Sequence, residues 1–270
     1  MNIKNVIMLG DVVGDPGLTA LELQLPRMIE EYEADFVTVN GENAADGFGI
    51  SKMALDRMLA AGADVVTSGN HVWEKSEFWS VLDYETRVLR PANYPAGTVG
   101  RGWITIEKNG VSYLVINLQG RELMTPIDCP FRTFDAIFTA ASATDTAHSA
   151  VQGTALPVVL VDFHAEATRE KEALAFYLDG RAAVIAGTHT HIQTADNRLL
   201  PNGSAYITDL GMTGVTDSVI GMDTKICIER ARKQVLYRME CAQGAASVMG
   251  IIAEVNVETG KALRIERIKR

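Results

Sequence analysis

Five short strand-like runs, at residues 6–9, 36–39, 64–67, 157–161 and 182–186, each stop at a cluster of glycine and polar side chains. The clusters are Gly10-Asp11, Asn40-Gly41-Glu42-Asn43, Ser68-Gly69-Asn70-His71, Asp162-Phe163-His164 and Gly187-Thr188-His189-Thr190-His191. Amphipathic stretches follow three of the first four, reaching about residue 32, covering 51–61 behind an N-cap at Ser51, and covering 166–178. Strand, polar loop and helix in repetition favour an α/β fold with a parallel portion to its sheet, because a parallel neighbour requires a crossover helix.

The middle of the chain changes character. Residues 103–107 and 111–117 are rich in β-formers and flank Lys108-Asn109-Gly110, which reads as a hairpin turn. A helix is expected near 134–147. Strands are then expected to dominate to the C-terminus, at 205–208, 234–239, 247–257 and 262–268. No low-complexity linker or internal repeat interrupts the 270 residues, so the chain reads as one domain, 1–270, with a cap-like or oligomer-contact insertion near 119–150. A hydrophobic content of 47% is ample for a large core.

The formal charge of −9 opposes a surface that coats duplex nucleic acid, since phosphate backbones attract clustered Lys and Arg. A small anionic substrate remains compatible with it if bound cations supply the local positive charge. The 3 cysteines, Cys129, Cys227 and Cys241, form no CxxC pair and no disulfide framework. No signal-peptide pattern opens the chain, and no apolar run approaches the roughly 18 residues of a membrane span. The expected compartment is the cytoplasm, with no membrane partner.

Asp11, Glu42, Asn70, His71, His164, His189 and His191 all fall at or just after the carboxyl ends of expected strands, where open α/β sheets place their ligand crevices. Any one histidine after a strand is more often a hydrogen-bonded loop residue; the joint placement of four of the five points to a site. The fifth, His148, reads as a solvated helix-end residue. Imidazole, carboxylate and amide donors without thiolate suit Fe, Mn or Zn. Seven or eight donors exceed the needs of one tetrahedral ion and point to two divalent or mixed-valence ions roughly 3.5–4 Å apart, with Glu42 as bridge. His189 and His191, two residues apart, would point the same way in an extended segment and so serve adjacent ions.

In order along the chain, Gly10-Asp11, Gly41-Glu42-Asn43, Gly69-Asn70-His71, His164 and Gly187-Thr188-His189-Thr190-His191 resemble the motifs of the calcineurin-like metallophosphoesterases. Two departures stand out. Val13 occupies the place of a His two residues after the first Asp, and Glu42 replaces the usual bridging Asp. Both departures, with Asn43 adjacent, resemble the YmdB-like 2',3'-cyclic nucleotide phosphodiesterase subgroup. The resemblance extends through Arg90-Pro91-Ala92-Asn93-Tyr94-Pro95, Asp128-Cys129-Pro130-Phe131, Asp162-Phe163-His164-Ala165-Glu166-Ala167 and Gly211-Met212-Thr213-Gly214.

That resemblance implies a four-layer αββα sandwich of two mixed β-sheets flanked by helices. It implies one metal held by Asp11, Glu42, Asn43 and His191, and a second by Glu42, Asn70, His164 and His189. Asn43 would stand in for the His absent at Val13, although an Asn can equally hold a loop through backbone hydrogen bonds. His71 is cast as the catalytic group that protonates or stabilises the leaving oxygen, the alternative being a residue that orients Asn70. The implied activity is hydrolysis of 2',3'-cyclic nucleotides by a metal-activated hydroxide. Among partners, a homo-oligomer is an expectation apart from the resemblance, and the sequence does not fix the oligomeric state. A phosphomonoesterase or nucleotidase, and a regulatory nucleotide- or partner-binding protein with incidental hydrolysis, are the competing readings.

Residues outside this set carry open alternatives. Asp162 either orients His164 or pairs across the sheet. Arg90 reaches a substrate phosphate, a neighbouring subunit or solvent. Gly10 to Gly17 lacks the Lys-Ser/Thr end of a P-loop, and Asp15-Pro16-Gly17 reads as a turn before the first helix. Cys129 has no dedicated histidine base left to make it a nucleophile. The loops around Met212 and Met222 border the pocket or serve packing alone.

Overall fold

The computed structural model describes residues 2–152 and 157–270, with no side-chain description for 142–152, so the solvation read for His148 lies outside what is described. In chain order the elements are β1 (Ile3–Leu9), β2 (Asp11–Val12), α1 (Gly14–Glu31), β3 (Phe36–Asn40), α2 (Lys52–Ala61), β4 (Val65–Thr67), α3 (Trp79–Tyr84), β5 (Trp103–Lys108), β6 (Val111–Gln119), α4 (Pro130–Gln152), β7 (Val158–His164), α5 (Thr168–Leu178), β8 (Val184–Thr188), β9 (Arg198–Leu199), β10 (Ala205–Ile207), β11 (Met212–Val215), α6 (Thr224–Lys233), β12 (Ala246–Ser247), β13 (Met249–Asn256) and β14 (Lys261–Lys269).

Two mixed sheets, ordered β14-β13-β1-β3-β4 and β5-β6-β7-β8-β10-β9, carry the fold, and a small third sheet, β12-β11-β2, flanks them. The third sheet was not expected from sequence, because its strands are only two to four residues long. Alternation along each strand builds the layers. On β1, Val6 and Met8 join Phe36, Tyr113, Val115, Leu160 and Val184 in the core between the two sheets. Ile7 and Leu9 turn the other way, to Leu21, Leu25, Leu55 and Met58 of α1 and α2. On β6 and β7, Leu114, Ile116, Val159 and Val161 face Phe134 of α4 and Leu174 of α5. The expected αββα sandwich follows from these three apolar faces.

Between the sheets the inward residues change from apolar to polar toward the strands' carboxyl ends. Phe36 is succeeded on its own face by Thr38 and Asn40, and Leu160 by Asp162 and His164; these polar side chains are buried. Asn40 Nδ2 donates to Asp162 Oδ2 across the two sheets at 3.0 Å. The site therefore grows out of the inter-sheet core, and its polar groups are held by strands.

The hairpin forms where expected, with Asn109 at φ 52 and Gly110 at φ 74 closing β5 against β6, the paired positive φ values of a two-residue type I′ turn. Ser51 caps α2, its Oγ accepting from Ala54 N at 3.1 Å. Helix α1 begins at Gly14, earlier than the expected turn at Asp15-Pro16-Gly17, since a proline in the first helical turn sacrifices no intrahelical bond. The strand expected at 234–239 is absent. Instead α6 precedes it, N-capped by Asp223, whose Oδ1 accepts from Ile226 N at 2.9 Å. Val235, Leu236 and Tyr237 have the composition of a strand but no ladder partner, and all three are exposed. The stretch near 119–150 supplies the loop before α4 and α4 itself, which packs Phe134, Ile137 and Ala141 on the outer face of β6 and β7. Among the described residues, no helix is long and apolar enough to cross a membrane.

Candidate metal centre

At the carboxyl edge of the sandwich, four donor atoms converge. His164 Nε2 lies 3.0 Å from Glu42 Oε1, 3.2 Å from Asn70 Oδ1 and 3.0 Å from His189 Nδ1. One ligand atom from each of Glu42, His164 and His189 falls within 4.8 Å of the other two. A second set adjoins it. His191 Nε2 lies 2.9 Å from Asn43 Nδ2 and 3.9 Å from Asp11 Oδ1, and Asn43 Nδ2 lies 3.4 Å from Glu42 Oε1. Glu42 thus stands between the two sets. Asn43 turns its amide nitrogen toward both neighbours, so service as an oxygen donor requires its carboxamide to rotate by half a turn.

The sequence expectation that His189 and His191 lie in an extended segment is overturned. Strand β8 ends at Thr188, and the two histidines sit at φ 104 and φ 65, in the left-handed region that side chains rarely adopt. Buried carboxylates hold this turn. Asp11 Oδ2 accepts from His189 N at 3.2 Å, and Asp209 Oδ2 accepts from Thr190 N at 3.1 Å. Asp209 is itself paired with buried Lys171, Nζ to Oδ2 at 2.8 Å. Removing Lys171 alone would strand a buried charge at a cost of roughly 3–5 kcal/mol.

His164 is oriented from behind. Its Nδ1 lies 2.9 Å from Thr188 Oγ1, and Thr188 donates onward to Asp162 Oδ1 at 2.7 Å. Asp162 therefore does both things left open by sequence: it orients His164 through Thr188 and ties β7 to β3 and β4 through Asn40 and Thr67. With Nδ1 committed to the threonine, Nε2 is the nitrogen presented to the cluster.

Burial and charge pull these groups in opposite directions. Burial pushes the Asp11 carboxyl up to about 6 despite the nearby His191 and His164. Burial also opposes ionisation of Glu42, yet His164 outweighs it and holds Glu42 down at about 2. For His164, burial disfavours the cation, but Glu42 and Asp11 raise it to about 9. His189 is lowered to about 3 by burial and by His164, so it is a neutral imidazole with a lone pair available.

The residues fit divalent cations. Asp11 Oδ1 is buried and has no hydrogen-bond partner among the described residues, a costly condition unless something charged meets it. Two ring nitrogens 3.0 Å apart, of His164 and His189, require a proton or a cation between them. Asp11, Glu42, Asp162 and Asp209 are each at most 1% exposed, and among the described residues only Asp209 has a buried lysine to match it. Gly69 leaves the space: a Cβ there would lie 2.2 Å from both Glu42 Oε2 and His164 Cδ2. Gly69→Ala is expected to displace these two donors, to destabilise the fold by about 1–3 kcal/mol, and to lower bound metal. Metal content and the urea midpoint, measured together, check it.

His71 sits on the wall of the cleft. Its backbone N–H donates to Glu42 Oε2 at 3.2 Å, while its ring meets Glu74 Oε1 at 3.4 Å and Phe48 edge-on at 5.1 Å between centroids. No ring contact to Asn70 is seen among the described residues. The cleft has a volume of about 750 Å³, and Glu42, Asn43, His71, His189 and His191 share it with Phe48, Met222, Cys227, Arg230 and Met239. Met222 lines the cleft, whereas Met212 packs with it against Val13. Val13 is buried among these apolar groups, which accounts for the absence of a donor there.

Arg90 is not a solvated loop residue. It is buried, and its guanidinium donates to the carbonyls of Val99 at 3.1 Å, Pro91 at 2.8 Å and Thr98 at 3.2 Å, stapling its own loop. Burial lowers its pKa. Asp128 is exposed and Cys129 half-buried beside Arg121, at 3.5 Å from Nη2. Sequence reasoning missed Thr188 and Glu166, although both lie inside motifs it singled out, and it missed the wall supplied by α6, whose Asp223 cap and basic last turn were legible.

Two mixed sheets packed face to face, with carboxylate, amide and imidazole donors gathered at one edge, define a calcineurin-like metallophosphoesterase fold. The chain belongs to the YmdB-like family, whose model matches residues 7–268. It is 42% identical over 97% of its length, and 96% of the relative's, to a 2',3'-cyclic-nucleotide 2'-phosphodiesterase of Bacillus subtilis. The crystal structure of a novel phosphatase from Mycoplasma pneumoniae superposes with a TM-score of 0.90 at 32% identity, covering 100% of this chain and 94% of that one. In fold alone, a 5'-nucleotidase precursor of Thermus thermophilus is similar, with a TM-score of 0.59 at 11% identity over 99% of this chain and 54% of that one.

Proposed function

We propose that this chain is a metal-dependent phosphodiesterase acting on 2',3'-cyclic nucleotides. The observation that carries the reading is the convergence of Glu42, Asn70, His164 and His189 on one point, beside a buried Asp11 oxygen that has no hydrogen-bond partner among the described residues. A phosphodiester is an anion and would be repelled by a wall of buried carboxylates, so substrate entry needs cations in place. Asp11, Glu42, Asn43 and His191 would hold one, and Glu42, Asn70, His164 and His189 the other. When bound, such ions supply Lewis acidity toward the phosphoryl group and lower the pKa of water.

The remaining work falls to the chain. His71, over the cleft and braced by Glu74, hands a proton or a hydrogen bond to the departing ribose oxygen. Thr188 and Asp162 keep His164 facing inward. Phe48, Met222 and Met239 offer an apolar wall against which a nucleobase can lie. The donor set favours Fe or Mn, with Zn also accommodated. The reading extends to one domain, 1–270, supported by a family match running from residue 7 to 268, with the segment near 119–150 as its cap-like or oligomer-contact element, and to a homo-oligomer in the cytoplasm.

A phosphomonoesterase is the second reading, favoured by the phosphatase description of the Mycoplasma pneumoniae structure. Assaying 2',3'-cyclic, 3',5'-cyclic and monoester substrates side by side with added Mn²⁺ separates the two. The expected order places 2',3'-cyclic nucleotides first; a preference for monoesters would overturn the proposal.

A further inference from the structure

His189 has a ring nitrogen on each side of a boundary. Nδ1 faces His164 Nε2 at 3.0 Å, inside the cluster. Nε2 faces Glu166 Oε2 at 3.1 Å, outside it. A carboxylate 3.1 Å away favours a proton on the nitrogen beside it, so the proton of a neutral His189 belongs on Nε2, and Nδ1 is left with its lone pair turned inward. We propose that Glu166 is a positioning residue that fixes this tautomer and rotation of His189, presenting Nδ1 to a cation shared with Glu42 and His164. The inference rests on the metal-dependent reading of the site.

The backbone of the turn is set elsewhere, by Asp11 and Asp209 on the amides of His189 and Thr190, which leaves ring rotation to be settled by the side chain's own partners. For His164 that task is done in the interior by Thr188 and Asp162. For His189 it is done at the rim, because the Glu166 side chain is 46% exposed and lines the cleft. Glu166 lies between β7, which ends on His164, and α5, which carries Lys171. One short connection therefore places a donor, orients a second donor and anchors the turn between His189 and His191. An exposed carboxylate on rigid flanks is also one whose removal does not threaten the fold.

The test compares Glu166→Ala and Glu166→Gln with the parent chain in two ways. Metal-free protein is observed by ¹⁵N-resolved NMR for the protonated Nε2 of His189, and Mn²⁺ affinity is measured by competition with a chelator. Glu166→Ala is expected to lose the predominance of the Nε2–H resonance and to bind Mn²⁺ about tenfold more weakly. Glu166→Gln, whose amide oxygen can still accept, is expected to retain the resonance and most of the affinity. An Ala variant with the Nε2–H resonance and the affinity both unchanged would overturn the inference. Failure of the parent chain to bind Mn²⁺ would instead contradict the metal-dependent reading, and the NMR comparison reports on Glu166 independently of that result.

Discussion

Glu42→Ala is expected to empty the cleft of metal and to lower kcat/KM by roughly a thousandfold or more, about 4 kcal/mol of transition-state stabilisation. Glu42 touches both donor sets, through His164 at 3.0 Å and Asn43 at 3.4 Å, and it also accepts the backbone N–H of His71. Removing it leaves neither set with a bridging oxygen. Elemental analysis of the purified variant, alongside steady-state assays with and without added Mn²⁺, checks the result, and circular dichroism confirms that the fold is kept. Full metal content with full activity would remove Glu42 from the centre of the site.

His71→Ala has a different signature. The contact that ties this position to Glu42 is made by the backbone N–H, which an alanine retains. Metal content is therefore expected to stay at the parent level while kcat falls by about 10²–10⁴, the range for loss of a general acid, with little change in KM. A variant that loses metal in proportion to activity would make His71 a structural support; one that keeps its kcat would leave the leaving-group proton to solvent. Read together, the two substitutions separate binding of the cations from the chemistry performed beside them.

Much of this centre is legible in the sequence because strands impose simple rules. Inward residues alternate, so an apolar run ending in Asp162-Phe163-His164 or Asn40-Gly41-Glu42 announces polar groups at a sheet edge, and the structure puts Asp11, Glu42, Asn43, Asn70, His164, His189 and His191 within one cluster. Conformation after the strand ends is another matter. The left-handed turns at His189 and His191 depend on buried partners, Asp11 and Asp209, that lie 178 and 19 residues away in sequence from the amides they hold. No local pattern encodes that.

Arg90 shows the same limit, since the carbonyls that accept from it belong to a loop whose path is fixed only in three dimensions. Helix α6 was missed for a physical reason of its own. It buries none of its residues, so it lacks the inward apolar stripe that marks a packed helix, and the β-rich Val235-Leu236-Tyr237 beside it carries the stronger local pattern. Its capping aspartate was the better guide.

The central claim is that the Glu42, His164 and His189 cluster holds catalytic cations. Metal analysis of protein purified without chelator, performed on the same sample as a 2',3'-cyclic nucleotide assay, tests it most directly. The expected result is close to two divalent ions per chain, with activity lost on chelation and regained on adding Mn²⁺ or Fe²⁺. Protein that contains no metal, and remains inactive when metal is supplied, would contradict the claim.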